Sequence, residues 1–290
     1  MPATCNGALD IGFVHLGYAK VAFLGVVQGI TELLPISSTA HMRIVPALLG
    51  WQDPGSAFSA AMQLAALVGV ISYFWKDIAG LARGSTAAAL RGDFKNHDFT
   101  MVLFILIGTI PIVIAGLLMQ KVLNVCNSPM RSITVIGVAC LVMGGLLAVT
   151  EIIARHRRTL KQASIVDILV VGVAQAFALV PGVSRSGSTL TAALALGFQR
   201  EEAARFSFLL GLPAIALAGL KEIAELHKAH LDGHGWSILA VGLVVGAISS
   251  VATIWGLMRF LERFSTWPFV VYRVVLGVVL LAGAAYGIIH

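Results

Sequence analysis

Hydrophobic residues occur in this chain as long uninterrupted runs, without the polar stripe that marks the solvent-facing side of a soluble helix. A helix needs roughly 20 apolar residues to cross the hydrocarbon core of a bilayer, and several runs reach or approach that length. The pattern therefore predicts an all-α polytopic membrane protein. The predicted apolar segments are 21–36, 58–75, 101–119, 133–150, 165–180, 187–197, 206–220, 236–258 and 267–287.

Two of these runs break at a proline and continue into small polar residues. The sequence LLPISSTAH begins at Leu33, and LVPGVSRSGST begins at Leu179. The segment at 187–197 is too short to span a bilayer alone, so we expect 165–197 to form a re-entrant helical hairpin. The first run, with its short return through Met42–Leu49, predicts a second one. The segments together indicate two re-entrant hairpins and about six full spans.

The chain also contains an internal repeat. GVVQGITELLPISS from Gly25 resembles GVAQAFALVPGVSRS from Gly172, about 147 residues further on. Each half would hold one hairpin and three spans, and an odd number of crossings inverts the second copy. We therefore predict a single membrane domain over 1–290. It would be an inverted-topology repeat of about 1–150 and about 151–290, whose two polar tips meet near the bilayer midplane.

Composition agrees with a membrane protein and argues against a nucleic-acid partner. Of 290 residues, 58% are hydrophobic and 12% are charged, and the mean hydropathy is +0.91. The net charge of +6 is spread over short loops, where it indicates topology. Twelve of the 20 Lys and Arg residues lie in four loops that we expect to be cytoplasmic: 76–100, 151–164, 198–205 and 259–266. The opposite side would hold Lys20, Arg43, Lys121, Arg131, Lys221 and Lys228.

Residues that are costly in lipid cluster at the two proline breaks. Glu32 and Arg185 are charged, and Gln28 lies four residues before Glu32 on the same helix face. The planar fork of an arginine fits phosphate oxygens, hydroxyls and amides at a helix start bind anions, and a glutamate can bind a cation or act as a base. This combination predicts a site for a phosphorylated group. The small polar residues expected to bind it are Ser37, Ser184, Ser186, Ser188 and Thr189.

Each of these residues also has a structural interpretation. Ser and Thr in membrane helices often only pack or bond to the backbone. Glu32 and Arg185 could form an ion pair, and Gln28 could bond between helices, although charges buried in lipid are mostly retained for function. The nucleophile is left open between Ser38, His41 and a metal-bound water. We expect Arg273, inside the last segment, to extend toward the headgroups, with a role in binding substrate as the alternative.

The segments QGITELLPISSTAHM (Gln28–Met42) and PGVSRSGST (Pro181–Thr189) resemble the two motifs of the bacterial undecaprenyl-diphosphate phosphatase family, of the bacitracin-resistance type. The segment order and the closing sequence WPFVVYRVVLG are similar as well. The resemblance implies hydrolysis of undecaprenyl diphosphate to undecaprenyl phosphate plus phosphate. That reaction recycles the lipid carrier for peptidoglycan and confers bacitracin resistance. It further implies the bacterial inner membrane, with the active site facing the periplasm.

The resemblance also assigns roles to residues. Glu32, Ser38, His41 and Arg185 would be catalytic. Among the candidates left open for the nucleophile, our own hypothesis is Ser38, with His41 as its proton partner. A divalent cation, Mg²⁺ or Ca²⁺, would be held by Glu32 and Gln28. Some family members carry Glu where this chain has Gln28. In this chain Glu32 is therefore the one carboxylate of the pair, and a metal site with two carboxylates is not expected. The partners would be a polyprenyl diphosphate lipid and membrane lipids, and the oligomeric state is open, with a homodimer as one option.

The alternative function is that of a polyprenyl-phosphate translocase, or flippase. Inverted repeats with opposed hairpins are a transporter architecture, and such a protein would use the same arginine and hydroxyls. The presence of Glu32 and His41 beside the predicted phosphate site favours the enzyme, because transport requires no nucleophile.

Overall fold

The structure, a computed structural model, describes residues 11–123, 130, 132–228 and 230–287. Arg131 and the side chain of Lys121, both used in the charge count, lie outside this part. The regular structure of the described residues is helical, with one isolated bridge between Arg158 and Phe198. The α-helices are α1 Gly17–Leu33, α2 Ser38–Leu48, α3 Ser56–Ala61, α4 Gln63–Tyr73, α5 Trp75–Leu90, α6 His97–Leu123, α7 Ile133–Ile153, α8 Ile165–Ala176, α9 Arg185–Ala195, α10 Arg200–Lys228, α11 Gly233–Arg263 and α12 Trp267–Ala285.

The described residues contain seven helical stretches that are long and apolar enough to cross a membrane. This confirms a helical, multi-pass membrane protein. The number exceeds the predicted six because a 3₁₀ turn at Gly12–Leu16 extends the first helix to 22 residues, starting well before the predicted position 21. The stretches are Gly12–Leu33, Ser56–Tyr73, His97–Met119, Ile133–Ile153, Arg200–Lys228, Gly233–Arg263 and Trp267–Ala285.

The region 76–100, predicted as a loop, contains the helix α5. Three alanines, the residue with the highest helix propensity, precede its last residue, and its charged residues interrupt any long apolar run. Ile78 and Leu81 pack against the buried core, and Asp77 Oδ1 forms an ion pair with Arg205 Nη2 at 2.7 Å. The helix is therefore amphipathic and lies on the surface of the helical bundle.

The proline at each break sets the local backbone. Leu34 and Val180, which precede the prolines, are extended, with ψ of 144° and 119°, as steric contact with a following proline requires. Helices α2 and α9 start a few residues later and are 11 residues long. At 1.5 Å per residue such a helix measures about 16 Å, roughly half of the hydrocarbon thickness.

Glycines let the helices that carry the breaks approach their neighbours closely. Helix α1 packs on α11, and a Cβ added at Gly29 would lie 2.5 Å from the Gly246 carbonyl oxygen. Helix α8 packs on α6 in the same way, because a Cβ at Gly172 would lie 2.6 Å from the carbonyl oxygen of Gly108. Small residues at helix interfaces are typical of membrane proteins. These contacts hold both broken helices inside the bundle.

Candidate active site

The two proline breaks, about 150 residues apart in sequence, contact each other directly. The hydroxyl of Ser186, in the first turn of α9, donates to the carbonyl oxygens of Glu32 and Leu34, each at 3.2 Å. The backbone N–H of Gly182 donates to Thr39 Oγ1 at 3.5 Å. The prediction that the polar tips meet is therefore confirmed by these contacts.

Each break continues into a helix through a serine of unusual backbone conformation. Ser37 and Ser184 both have positive φ, 76° and 70°, a conformation that costs about 1–3 kcal/mol for a non-glycine residue. Both are N-caps: Ser37 Oγ accepts from the Ala40 N–H at 3.4 Å, and Ser184 Oγ accepts from the Gly187 N–H at 3.1 Å. The same strained cap thus occurs twice, which fits two copies of one turn.

Glu32 is the centre of the site. It is 6% exposed, and its Oε2 accepts from Gln28 Nε2 at 3.1 Å and from the Ser38 hydroxyl through a short hydrogen bond. Its Oε1 faces Arg185 Nη2 at 3.4 Å. The carboxylate therefore joins the residues predicted from both motifs, and it lies against the serine predicted as nucleophile.

Arg185 has bonding capacity that the protein does not use. Its side chain is 10% exposed, and its only ion pair in the described residues is the long contact with Glu32. Its Nε and Nη1 atoms are buried without a hydrogen-bond partner in the described part of the chain. A buried guanidinium with unused donors is expected to receive an anion. The absence of a side chain at Gly211 makes room for the Arg185 guanidinium, because a Cβ at this position would collide with Arg185 Nη1.

His41 is bound to a residue that the sequence analysis did not predict. Its Nδ1 lies 2.7 Å from the Ser37 carbonyl oxygen, which can only accept, so Nδ1 carries the proton and Nε2 accepts from the Tyr272 hydroxyl at 2.5 Å. The two rings stack with centroids 5.6 Å apart. The structure therefore pairs His41 with Tyr272, and Ser38 with Glu32, instead of His41 with Ser38.

The remaining predicted hydroxyls are engaged within the protein. Ser188 and Thr189 donate to the Arg185 carbonyl oxygen at 3.1 and 2.8 Å, and Thr189 also forms a short hydrogen bond with Ser207. Ser184 and Ser186 lie 3.2 Å apart, oxygen to oxygen. These bonds shape the start of α9, and a role for these residues and Ser37 in binding substrate stays a prediction.

Arg273 does not extend toward the headgroups, so that expectation was wrong. It is fully buried and donates to carbonyl oxygens of both breaks: from Nη1 to Pro35 at 2.9 Å, and from Nη2 to Gly182 and Val183 at 2.7 and 2.8 Å. An arginine inside an apolar segment was the available signal, because a charge at that depth requires polar partners. The sequence did not show that the partners would be backbone carbonyls.

The predicted cation ligands offer few donors of their own. The described residues contain no group of three or more His, Cys, Asp and Glu side chains that could hold a metal ion. Glu32 supplies one carboxylate, and Gln28 turns its amide nitrogen toward it. Mg²⁺ commonly takes one or two carboxylates and fills its other positions with water and substrate phosphate oxygens. The donor set therefore fits a cation that arrives with a phosphorylated substrate.

Comparison with known proteins places the chain in a family. The family described as bacitracin resistance protein BacA matches residues 21–279. The chain is 71% identical over 260 residues to a protein of Mesorhizobium japonicum named undecaprenyl-diphosphatase 2, covering 90% of this chain and 98% of that one. It is 51% identical to an undecaprenyl-diphosphatase of Synechococcus elongatus, covering 91% and 92%. The chain therefore belongs to the bacitracin resistance protein BacA family.

Proposed function

We propose that this chain is an integral-membrane phosphatase that hydrolyses undecaprenyl diphosphate to undecaprenyl phosphate and inorganic phosphate. The reaction returns the lipid carrier to cell-wall synthesis and confers bacitracin resistance. The observation that carries the site assignment is the guanidinium of Arg185, with two unused buried donors, facing a carboxylate that is hydrogen-bonded to Ser38. The relatives named undecaprenyl-diphosphatase support the substrate, and nothing in their names supports the alternative translocase.

The substrate's chemistry suits a polar site inside an apolar bundle. A polyprenyl tail partitions into lipid and a diphosphate does not, so the enzyme must bring charged groups below the membrane surface. Arg185 would bind the terminal phosphate through Nε and Nη1, and it would stabilise the charge that develops on the phosphate oxygens during transfer.

Ser38 is the nucleophile of the first step in this proposal. Its Oγ forms a bond to the terminal phosphorus, and its proton passes to Glu32 Oε2, with which it is already hydrogen-bonded. The bond from phosphorus to the bridging oxygen breaks, and undecaprenyl phosphate leaves with that electron pair. Glu32, which the structure pairs with Ser38, takes the role of proton partner that the sequence analysis gave to His41.

The second step restores the enzyme. A water molecule attacks the phosphoserine, the bond from phosphorus to Ser38 Oγ breaks, and Glu32 returns its proton to that oxygen. Both water protons leave with the phosphate, so the step balances without a further reactant. His41 stays predicted as a catalytic residue, but its Nε2 must exchange the Tyr272 hydroxyl for a water or substrate oxygen before it can act.

We retain a divalent cation, Mg²⁺ or Ca²⁺, in the proposal. Glu32 would be its one carboxylate ligand, with Gln28 as a second oxygen donor if its amide turns. When bound, the cation supplies positive charge that neutralises the diphosphate. Because Gln28 and Ser38 donate to one oxygen of Glu32, they also fix the orientation of this carboxylate.

An inverted repeat with two re-entrant hairpins is also part of the proposal. Helix α1 contacts α2 and α11, and helix α8 contacts α9 and α6. Suppose that α1, α2, α4, α6 and α7 of the first half correspond in order to α8, α9, α10, α11 and α12 of the second. The contact of α1 with α2 then corresponds to that of α8 with α9, and the contact of α1 with α11 to that of α8 with α6. The pairs α4 with α10 and α7 with α12 each join a helix to its own counterpart. A pseudo-twofold axis produces this pattern. It supports one membrane domain over 1–290 with halves of about 1–150 and 151–290.

The cellular setting follows from the substrate and the charge distribution. We place the protein in the bacterial inner membrane with its site facing the periplasm, opposite the four basic segments. Its partners would be the polyprenyl diphosphate and membrane lipids, with no nucleic acid. A homodimer is one option for the oligomeric state, which the mass of the purified protein in detergent would measure.

The proposed function is tested by phosphate release from undecaprenyl diphosphate by purified protein in detergent with Mg²⁺ or Ca²⁺. We expect Ser38→Ala to lower the rate at least about 1000-fold, because the nucleophile is gone. Wild-type protein given substrate with a radiolabelled terminal phosphate and quenched in acid should carry the label on Ser38. The matched control is Ser85→Ala, a half-buried serine in α5 whose hydroxyl bonds to the Ala82 carbonyl.

Two results would contradict parts of this proposal. Full activity of folded Ser38→Ala would remove Ser38 as nucleophile and return the role to His41 or water. If wild-type protein releases no phosphate but moves the lipid across sealed vesicles, the translocase would replace the phosphatase.

A further inference from the structure

Arg273 is a buried cation that the proposed reaction does not use. It lies seven residues into α12, has no exposed surface, and is the largest of the fully buried side chains. It forms no ion pair with an Asp or Glu in the described residues. Its charge is compensated instead by backbone carbonyl dipoles.

These carbonyls belong to the two separate breaks. Pro35 lies in the turn after α1, and Gly182 and Val183 lie in the turn before α9. Turn residues lack the helical partners that would satisfy their carbonyl oxygens, and a buried carbonyl needs a donor. Arg273 supplies donors to both turns from one rigid, planar group, so it fixes the spacing between them.

That spacing decides the geometry of the candidate site. Glu32 lies three residues before Pro35, and Arg185 lies two residues after Val183. We propose that Arg273 is a positioning residue for the hydrolysis, which holds the turn after Glu32 and the turn before Arg185 at the separation that transfer requires. This inference rests on the proposed function and adds a residue that touches neither the substrate nor the reacting atoms.

Two glycines form the space that Arg273 occupies. A Cβ at Gly187, in α9, would lie 2.5 Å from Arg273 Nη1, and a Cβ at Gly144, in α7, would lie 3.2 Å from Arg273 Cβ. Gly145, the next residue in α7, has nothing within 4 Å of an added Cβ. The pair Gly144 and Gly145 therefore offers a matched test, because both substitutions make the same change in the same helix.

The experiment compares Arg273→Met and Arg273→Lys with wild type in steady-state phosphate release, alongside thermal unfolding in detergent. We expect Arg273→Met to lower kcat about 100-fold, the effect of misplacing catalytic groups by about 1 Å, with KM changed less than about 3-fold. Arg273→Lys should be intermediate, because an ammonium keeps the charge but not the fork that reaches both turns. The control for charge loss is Arg259→Met, an exposed arginine lying over the Trp255 ring, which should keep wild-type kcat.

The glycine pair keeps the inference testable if Arg273→Met does not fold. Gly144→Ala should lower kcat about 5-fold, and Gly145→Ala should leave it unchanged. Folded Arg273→Met with wild-type kcat, or equal effects of Gly144→Ala and Gly145→Ala, would overturn the positioning role while leaving the phosphatase intact. Wild-type protein that releases no phosphate would instead refute the proposed function itself.

Discussion

In the described part of the chain, two buried glutamates each pair with an arginine, and the two pairs differ in how completely they are hydrogen-bonded. Glu32 and Arg185 meet through one contact of 3.4 Å between the two proline breaks. Glu151, at the end of α7, meets Arg200, at the start of α10, through two donors to the same carboxylate oxygen: Nε at 2.9 Å and a short bond from Nη2. Both carboxylates are at least 90% buried, so burial alone does not separate the two pairs.

The second carboxylate oxygen completes the contrast. Thr266 donates to Glu151 Oε2 at 2.8 Å, so the Glu151 cluster uses both oxygens and joins the ends of three helices. Glu151 lies near the end of α7 and is buried. At the other pair, two buried nitrogens of Arg185 have no partner in the described residues. Breaking a fully bonded pair leaves a buried charge uncompensated and destabilises the fold, whereas an incompletely bonded pair keeps donors for a ligand.

The largest expected effect comes from Arg185→Met. We expect phosphate release to fall at least about 1000-fold, as for other arginines that stabilise a transferring phosphoryl group. The free energy of unfolding should change by less than about 1 kcal/mol, because Glu32 keeps its donors Gln28 and Ser38. Initial rates and chemical unfolding of the same preparation measure both. A variant that unfolds easily but releases phosphate normally would reverse the roles assigned to the two pairs.

Arg200→Met should do the opposite. Its removal leaves Glu151 with one hydrogen-bond donor, Thr266, and with the His156 ring at 3.9 Å. We expect the free energy of unfolding to fall by about 2 kcal/mol, less than for a fully buried pair because Arg200 is partly exposed. The activity of the folded fraction should stay within about 3-fold of wild type. If the folded variant were as inactive as Arg185→Met, the Glu151 cluster could not be described as structural.

Gly211→Ala should have the smallest effect of the three. The added methyl group would displace the Arg185 guanidinium, a flexible end that can move, so we expect kcat to fall about 10-fold without loss of the fold. Gly256→Ala is the control, because an added Cβ at Gly256 has nothing within 4 Å. Equal rates in the two variants would show that the placement of Arg185 does not limit the reaction.

The sequence predicted the elements that depend on local composition. Apolar runs predicted where the membrane helices lie, closely in bounds for 133–150 against Ile133–Ile153 and less so for 206–220 against Arg200–Lys228. The prolines gave both breaks, because their effect on the preceding residue is local. The sequence missed α5, since a helix on the surface of the bundle has a polar face and low hydropathy, and it missed the 3₁₀ turn that lengthens the first helix.

The composition of the candidate site was predictable, and its bonding was not. Gln28, Glu32, Ser38 and Arg185 lie together because the two proline breaks that contain them contact each other. Which hydroxyl meets which acceptor depends on side-chain distances that no spacing in the sequence specifies.

The sequence by itself determined that this chain is a helical membrane protein with two proline breaks rich in polar residues, because hydropathy and proline sterics act within a few residues. Only the tertiary structure decided that Tyr272 binds His41 and that Arg273 binds both turns. Those contacts join residues more than 80 positions apart, and they form because buried carbonyl and imidazole groups must find donors wherever the packed helices bring them.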